Sequence, residues 1–164
     1  MDASTTGPAR REPAEGDAAP DFDLPADGGR RVSLESLRGR KLVLYFYPKD
    51  DTSGCTREAL DFTGLKPEFA AAGVEVLGVS PDSPASHDRF KAKHGLDFML
   101  ASDPDKTALD AYGVWTEKSL YGRKYMGVER STFLIGPDGR IARIWRKVKV
   151  PGHAAAVLEA ARAL

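Results

Sequence analysis

Two short β-prone runs, residues 41–47 (KLVLYFY) and 74–79 (VEVLGV), constrain the fold more than any other feature of the chain. Between them Glu58, Ala59, Phe62, Leu65 and Phe69 recur at roughly helical spacing. Apolar runs of this length read as strands buried on both faces, as in a parallel sheet covered by helices. Strand, helix and strand in that order imply a right-handed crossover. Pro67 lacks an amide hydrogen and clashes with the preceding turn, so the helix should break or kink near Gly64.

The remaining segments complete an α/β pattern. Phe22–Leu24 and Arg31–Leu34 flank the turn Ala26-Asp27-Gly28-Gly29 and read as a hairpin. A helix is expected at about 84–94, capped by Ser83 or Asp82, then a short strand at Phe98–Leu100 and a short helix at Asp105–Tyr112. Residues 113–130 have no clean period and carry three glycines, so a long loop is expected there. Thr132–Ile135 and Arg140–Arg146 form a hairpin around Gly136-Pro137-Asp138-Gly139, and a last helix at about 152–163 buries Val157, Leu158 and Ala161. This is the element order of a thioredoxin-like fold, a central mixed sheet flanked by helices.

With 164 residues the chain has room for one ordinary domain. Residues 1–18 hold no large apolar side chain beyond Met1, so a disordered tail is expected there and the domain at 19–164. Lys plus Arg equals Asp plus Glu at 24 each, which leaves no electrostatic footprint for nucleic acid or an anionic membrane. No apolar run is long enough to span a bilayer, and no signal peptide is expected at the start.

Cys55 is the only cysteine, which excludes an intramolecular disulfide and a thiolate-rich metal site. It stands where the first buried strand turns into a helix, among the small, polar residues Thr52, Ser53, Gly54 and Thr56. A lone cysteine is usually a buried small hydrophobe, but these neighbours suit an accessible junction better. The unpaired amides of a helix start favour an anion, and the thiolate is the form that attacks electrophiles. Because a reactive thiol must be recharged by cellular reductants, the cytoplasm is the expected compartment.

The spacing Pro48-x-x-x-Thr52-x-x-Cys55 resembles the active-site pattern of the peroxiredoxins, and most closely their bacterioferritin comigratory, or Q-type, branch. The stretches YFYPKDDTSGCTREALDF, GVEVLGVSPDS, YGVWTEKSLYGRKYMGVERSTFLI and the PDGRI turn carry the likeness from about Ala19 to the end. The resemblance implies a thiol-dependent peroxidase for hydrogen peroxide and organic hydroperoxides, with Cys55 as the peroxidatic residue, needing neither cofactor nor metal. It also implies a monomer or weak homodimer.

By the same resemblance Pro48, Thr52 and Arg130 belong to the active site. A helix start supplies only about 0.3–2 kcal/mol toward an anion, so a cation should join it. Arg130, in GVERSTFLI, is the candidate, because a guanidinium can hold both a thiolate and peroxide oxygens. The Thr52 hydroxyl can point at the reacting atoms or simply cap the helix, and the Pro48 ring can shield the thiol or end the strand. Glu58 matches the family but needs no catalytic role in a first helical turn. His87, His94 and His153 lack metal-ligand spacing, and exposed or capping positions are expected for them. Trp115 and tyrosines 112, 121 and 125 either line the approach to the thiol or pack the long loop.

Two departures from the family stand out. Ser53 occupies a position where many members have proline, and Leu60 one where many carry a resolving cysteine. The sulfenic acid would then be reduced by an external thiol: thioredoxin, glutaredoxin with glutathione, or a small thiol. The competing readings are a non-enzymatic peroxide sensor and a thiol–disulfide oxidoreductase of thioredoxin fold. The latter normally needs a second active-site cysteine, and a proline where this chain has Glu129-Arg130-Ser131.

Overall fold

The computed structural model describes residues 12–164. Strands β3 (Lys41–Phe46), β4 (Val74–Ser80), β5 (Met99–Ser102), β8 (Ser131–Ile135) and β9 (Ile141–Trp145) form one sheet in the order β5-β4-β3-β8-β9. The first three are parallel, while β8 and β9 run antiparallel, so the sheet is mixed. A small hairpin, β1 (Asp23–Pro25) with β2 (Arg31–Ser33), precedes it.

Successive side chains of a strand point to opposite faces, and β3 shows what that means for a fully covered strand. Leu42, Leu44 and Phe46 enter one core with Leu24, Val32, Tyr112 and Phe133. Val43, Tyr45 and Tyr47 enter the other, with Cys55, Ala59, Phe62, Phe69, Phe90 and Val157. Both faces are buried, which is why the run reads as continuously apolar. The second core is closed by helices α1 (Ser53–Gly64), α2 (Lys66–Ala71), α3 (Pro84–His94) and α5 (His153–Arg162). On the first face sits the short α4 (Thr107–Ala111). The break between α1 and α2 falls at Leu65, with Pro67 inside the first turn of α2 where its missing N–H costs nothing. Ser83 caps α3 by accepting the Ser86 amide at 3.1 Å.

Residues 113–130 are not a loop. They form an antiparallel pair, β6 (Trp115–Leu120) and β7 (Arg123–Val128), joined by Tyr121-Gly122. Both turn residues have positive φ, 52° and 80°, the primed geometry that matches strand twist. Most of β7 is solvated, so no burial alternation marks the pair in the sequence.

The boundary at residue 18 also moves. Gly16 N donates to Ile141 O at 2.8 Å, Ile141 N to Asp17 O at 2.9 Å and Ala19 N to Gly139 O at 2.9 Å. Residues 16–19 therefore run along the outer edge of β9 through backbone bonds, which require no apolar side chain. The first eleven residues of the expected tail lie outside the described residues.

Candidate active site

The β3–α1 connection, residues 47–52, and the start of β8 meet at one end of the sheet. Because β3 and β8 are antiparallel with Phe46 opposite Ser131, Arg130 arrives beside the point where β3 gives way to α1. Thr52 is the N-cap residue, with φ −88° and ψ 158°, and Cys55 is the third residue of the helix. Cys55 is 2% exposed and belongs to the second core, which corrects the expectation of an accessible thiol. Small polar neighbours mark the turn; they do not keep the sulfur at the surface.

Arg130 bridges two side chains on one face of α1. Its Nη2 donates to Cys55 Sγ at 3.3 Å and its Nη1 to Glu58 Oε1 at 2.6 Å. Residues three apart on a helix are neighbours, so one guanidinium reaches both. Gly54 permits the approach, since a Cβ there would lie 3.2 Å from Nη2.

Glu58 is the residue that sequence reasoning undervalued. Its carboxyl is buried, and Oε2 has no hydrogen-bond partner among the described residues. Burial pushes it up to about 7, against the opposing pull of Arg130. Burial works against the Arg130 charge too, yet its electrostatic and hydrogen-bond interactions with Glu58 and Cys55 hold the guanidinium above its ordinary range. Tyr45, wholly buried, is raised well above the ordinary phenol, chiefly by burial and then by its electrostatic interaction with Glu58. A glutamate in a first helical turn carries no sequence mark of burial; only its i,i+3 relation to Cys55 could have raised the question.

Thr52 does not cap α1 with its side chain. Its hydroxyl donates to Lys49 O at 2.9 Å, which ties the turn below the helix. Pro48 is half-buried and, with Arg130, lines an open cleft of about 720 Å³. The walls of that cleft are Lys118 and Tyr125 of the β6–β7 hairpin on one side and Lys147 and Lys149 on the other. Of the aromatic candidates only Tyr125 lines it; Tyr112 is core, Tyr121 is 96% exposed, and Trp115 packs under Lys106.

The histidines depart from expectation. His87 is fully buried against Asp50, and His153 is buried, sharing a 2.8 Å hydrogen bond with Thr132 Oγ1. Burial, helped by the nearby Arg130 charge, lowers His153 to about 4. His94 alone stays near the surface, paired with Asp51 at 2.8 Å.

The arrangement joins a buried cysteine at a helix start to a guanidinium that lines a cleft carrying Lys118, Lys147 and Lys149 beside Glu117 and Glu129. Residues 15–144 match the AhpC/TSA family. Peroxiredoxin Bcp of Xanthomonas campestris is 54% identical over 144 residues, 87% of this chain and 90% of that one. A solved peroxiredoxin Q mutant from Xylella fastidiosa superposes with a TM-score of 0.88 at 44% identity, covering 94% of this chain and 98% of that one. A structure from work on the alkyl peroxide reduction activity of the Xanthomonas campestris bacterioferritin comigratory protein gives 0.84 at 51% identity, covering 87% and 90%. The chain belongs to the AhpC/TSA family, in the Bcp or Q-type branch of the peroxiredoxins, thiol-dependent peroxidases that react through a peroxidatic cysteine.

Proposed function

We propose that Cys55 is the peroxidatic residue and that an external thiol completes each turnover. The thiolate attacks one peroxide oxygen, the O–O bond breaks, and sulfur loses two electrons. Cys55 becomes a sulfenic acid while the other oxygen leaves as water or an alcohol after taking up a proton. The observation that carries this reading is the 3.3 Å contact between Arg130 Nη2 and Cys55 Sγ. Donors aimed at the sulfur and at the departing oxygen stabilise charge as it moves between them. Thr52, whose hydroxyl oxygen accepts no hydrogen bond among the described residues, suits the peroxide proton, and Pro48 limits water at the same point. Since Cys55 is 2% exposed, reaction calls for a small opening of the first turn of α1, where Gly54 lowers helix propensity.

No second cysteine exists to trap the sulfenic acid. An incoming thiol condenses with it to a mixed disulfide and water, and a second thiol releases Cys55. The cleft between the β6–β7 hairpin and residues 147–149 leads to Arg130 and offers the path for both reactants. Lys118, Lys147 and Lys149 there, with Arg130, outnumber Glu117 and Glu129, and that positive balance favours an acidic thiol such as glutathione over a neutral one. The cytoplasm suits such a chain, because reducing thiols are kept there.

Steady-state peroxide consumption with excess thioredoxin, glutaredoxin plus glutathione, or small thiols tests the proposal. Many turnovers per chain with at least one donor are expected. Arrest after one equivalent with every donor would make the chain a sensor instead.

A further inference from the structure

The loop between β3 and α1 carries two consecutive aspartates, and α3 grips both. Asp50 Oδ1 accepts the Tyr47 hydroxyl at 2.6 Å, while Oδ2 accepts Ser86 Oγ and faces His87 Nδ1, each at 2.8 Å. His87 Nε2 faces the carbonyl of Ala101 at 2.9 Å. A carbonyl only accepts, so Nε2 carries a proton. Burial disfavours the Asp50 charge, but the bonds from His87, Tyr47 and Ser86 outweigh it and hold the carboxyl below its ordinary range. His87 thus joins Asp50 to the Ala101 carbonyl with no solvent exposure. The Asp50 amide is held too, by Asp82 Oδ2 at 2.8 Å.

Asp51 follows with φ 61°, a left-handed conformation that a side chain other than glycine adopts at a cost. Its two carboxylate oxygens accept Lys93 Nζ at 2.7 Å and His94 Nε2 at 2.8 Å. These bonds hold the residue in that conformation.

A buried carboxylate in a hydrogen-bond network is a poor way to add stability, because desolvation offsets most of its attraction to its partners. What it fixes is geometry, and the geometry here is that of the segment between Pro48 and Thr52, four to six residues before Cys55. We propose that Asp50 and Asp51, held by His87 and by Lys93 and His94, are positioning residues that keep Pro48, Thr52 and the first turn of α1 in reactive register. In this way α3 acts on the reaction through the loop. The inference rests on the peroxidatic role of Cys55 proposed above.

Asp50→Asn in the full chain separates positioning from plain structure, because two reagents report on the same sulfur. Peroxide needs the ordered loop; iodoacetamide needs only an available thiol. The rate constant with hydrogen peroxide should fall at least fivefold, while alkylation of Cys55 stays unchanged or accelerates as the turn loosens. A smaller fall, or equal falls in both rates, overturns the proposal. If Asp50→Asn does not fold, the surface double variant Lys93→Gln/His94→Gln decides, with at least a threefold fall in the peroxide rate alone expected and anything less refuting. Failure of the peroxidatic reading would look different: the wild-type chain itself would not react with peroxide.

Discussion

Glu58→Gln should change how stability depends on pH, by an amount the burial of this carboxyl sets. The folded protein holds the Glu58 proton up to about pH 7, whereas an ordinary glutamate releases it near 4.5. Between those values the folded state binds more protons than the unfolded chain, so stability falls as pH rises through that window. The difference corresponds to about 3 kcal/mol, fully developed above pH 7. His153 acts in the opposite sense. Lowered to about 4 from 6.5, it contributes stability that is lost as pH falls through that interval, so the two groups largely mask each other in the wild type. Glutamine keeps the shape of the protonated acid and cannot ionise. The stability of the variant minus that of the wild type cancels the His153 contribution and should grow by about 3 kcal/mol between pH 4 and pH 8. In urea titrations that gain moves the relative midpoint by about 1 to 2 M. A difference that stays constant across the range would show that Glu58 is ionised throughout and would refute the argument.

Arg130→Met removes the donor to Cys55 Sγ and should slow peroxide attack more than tenfold, about 1.4 kcal/mol of barrier, by stopped-flow measurement of the reaction. Phe62, wholly buried among Tyr45, Phe69 and Phe98, should cost about 3–5 kcal/mol when cut to alanine, read from denaturant midpoints. With no internal cysteine to intercept the sulfenic acid, excess peroxide without thiol should drive Cys55 to sulfinic and sulfonic acids, and millimolar thiol should protect it. Resistance to overoxidation in the absence of thiol, followed by mass spectrometry, would contradict the external-thiol step.

Most of the sheet and its helices could be read from the sequence, because strands covered on both faces and helices covered on one leave a hydrophobic period. The two elements that were not legible share a cause. The β6–β7 pair is largely solvated and residues 16–19 pair through backbone alone, so neither writes a burial pattern into its side chains. At the site, Cys55 and Arg130 could be picked out because the family pattern names them, and the antiparallel register of β3 and β8 brings them together. Glu58, His87 and Asp50 could not. Their burial depends on partners 72 and 37 residues away, and a polar residue that is buried because it is paired looks in sequence like any solvated one.

The central claim is that Cys55 takes the peroxide oxygen and that an outside thiol removes it. Intact-protein mass spectrometry after one equivalent of hydrogen peroxide, with and without added thiol, tests it most directly. The chain should gain one oxygen, located at Cys55, and return to its starting mass with thiol, while Cys55→Ser gains nothing. Oxygen found elsewhere, or peroxide consumed by Cys55→Ser at the wild-type rate, would contradict the account.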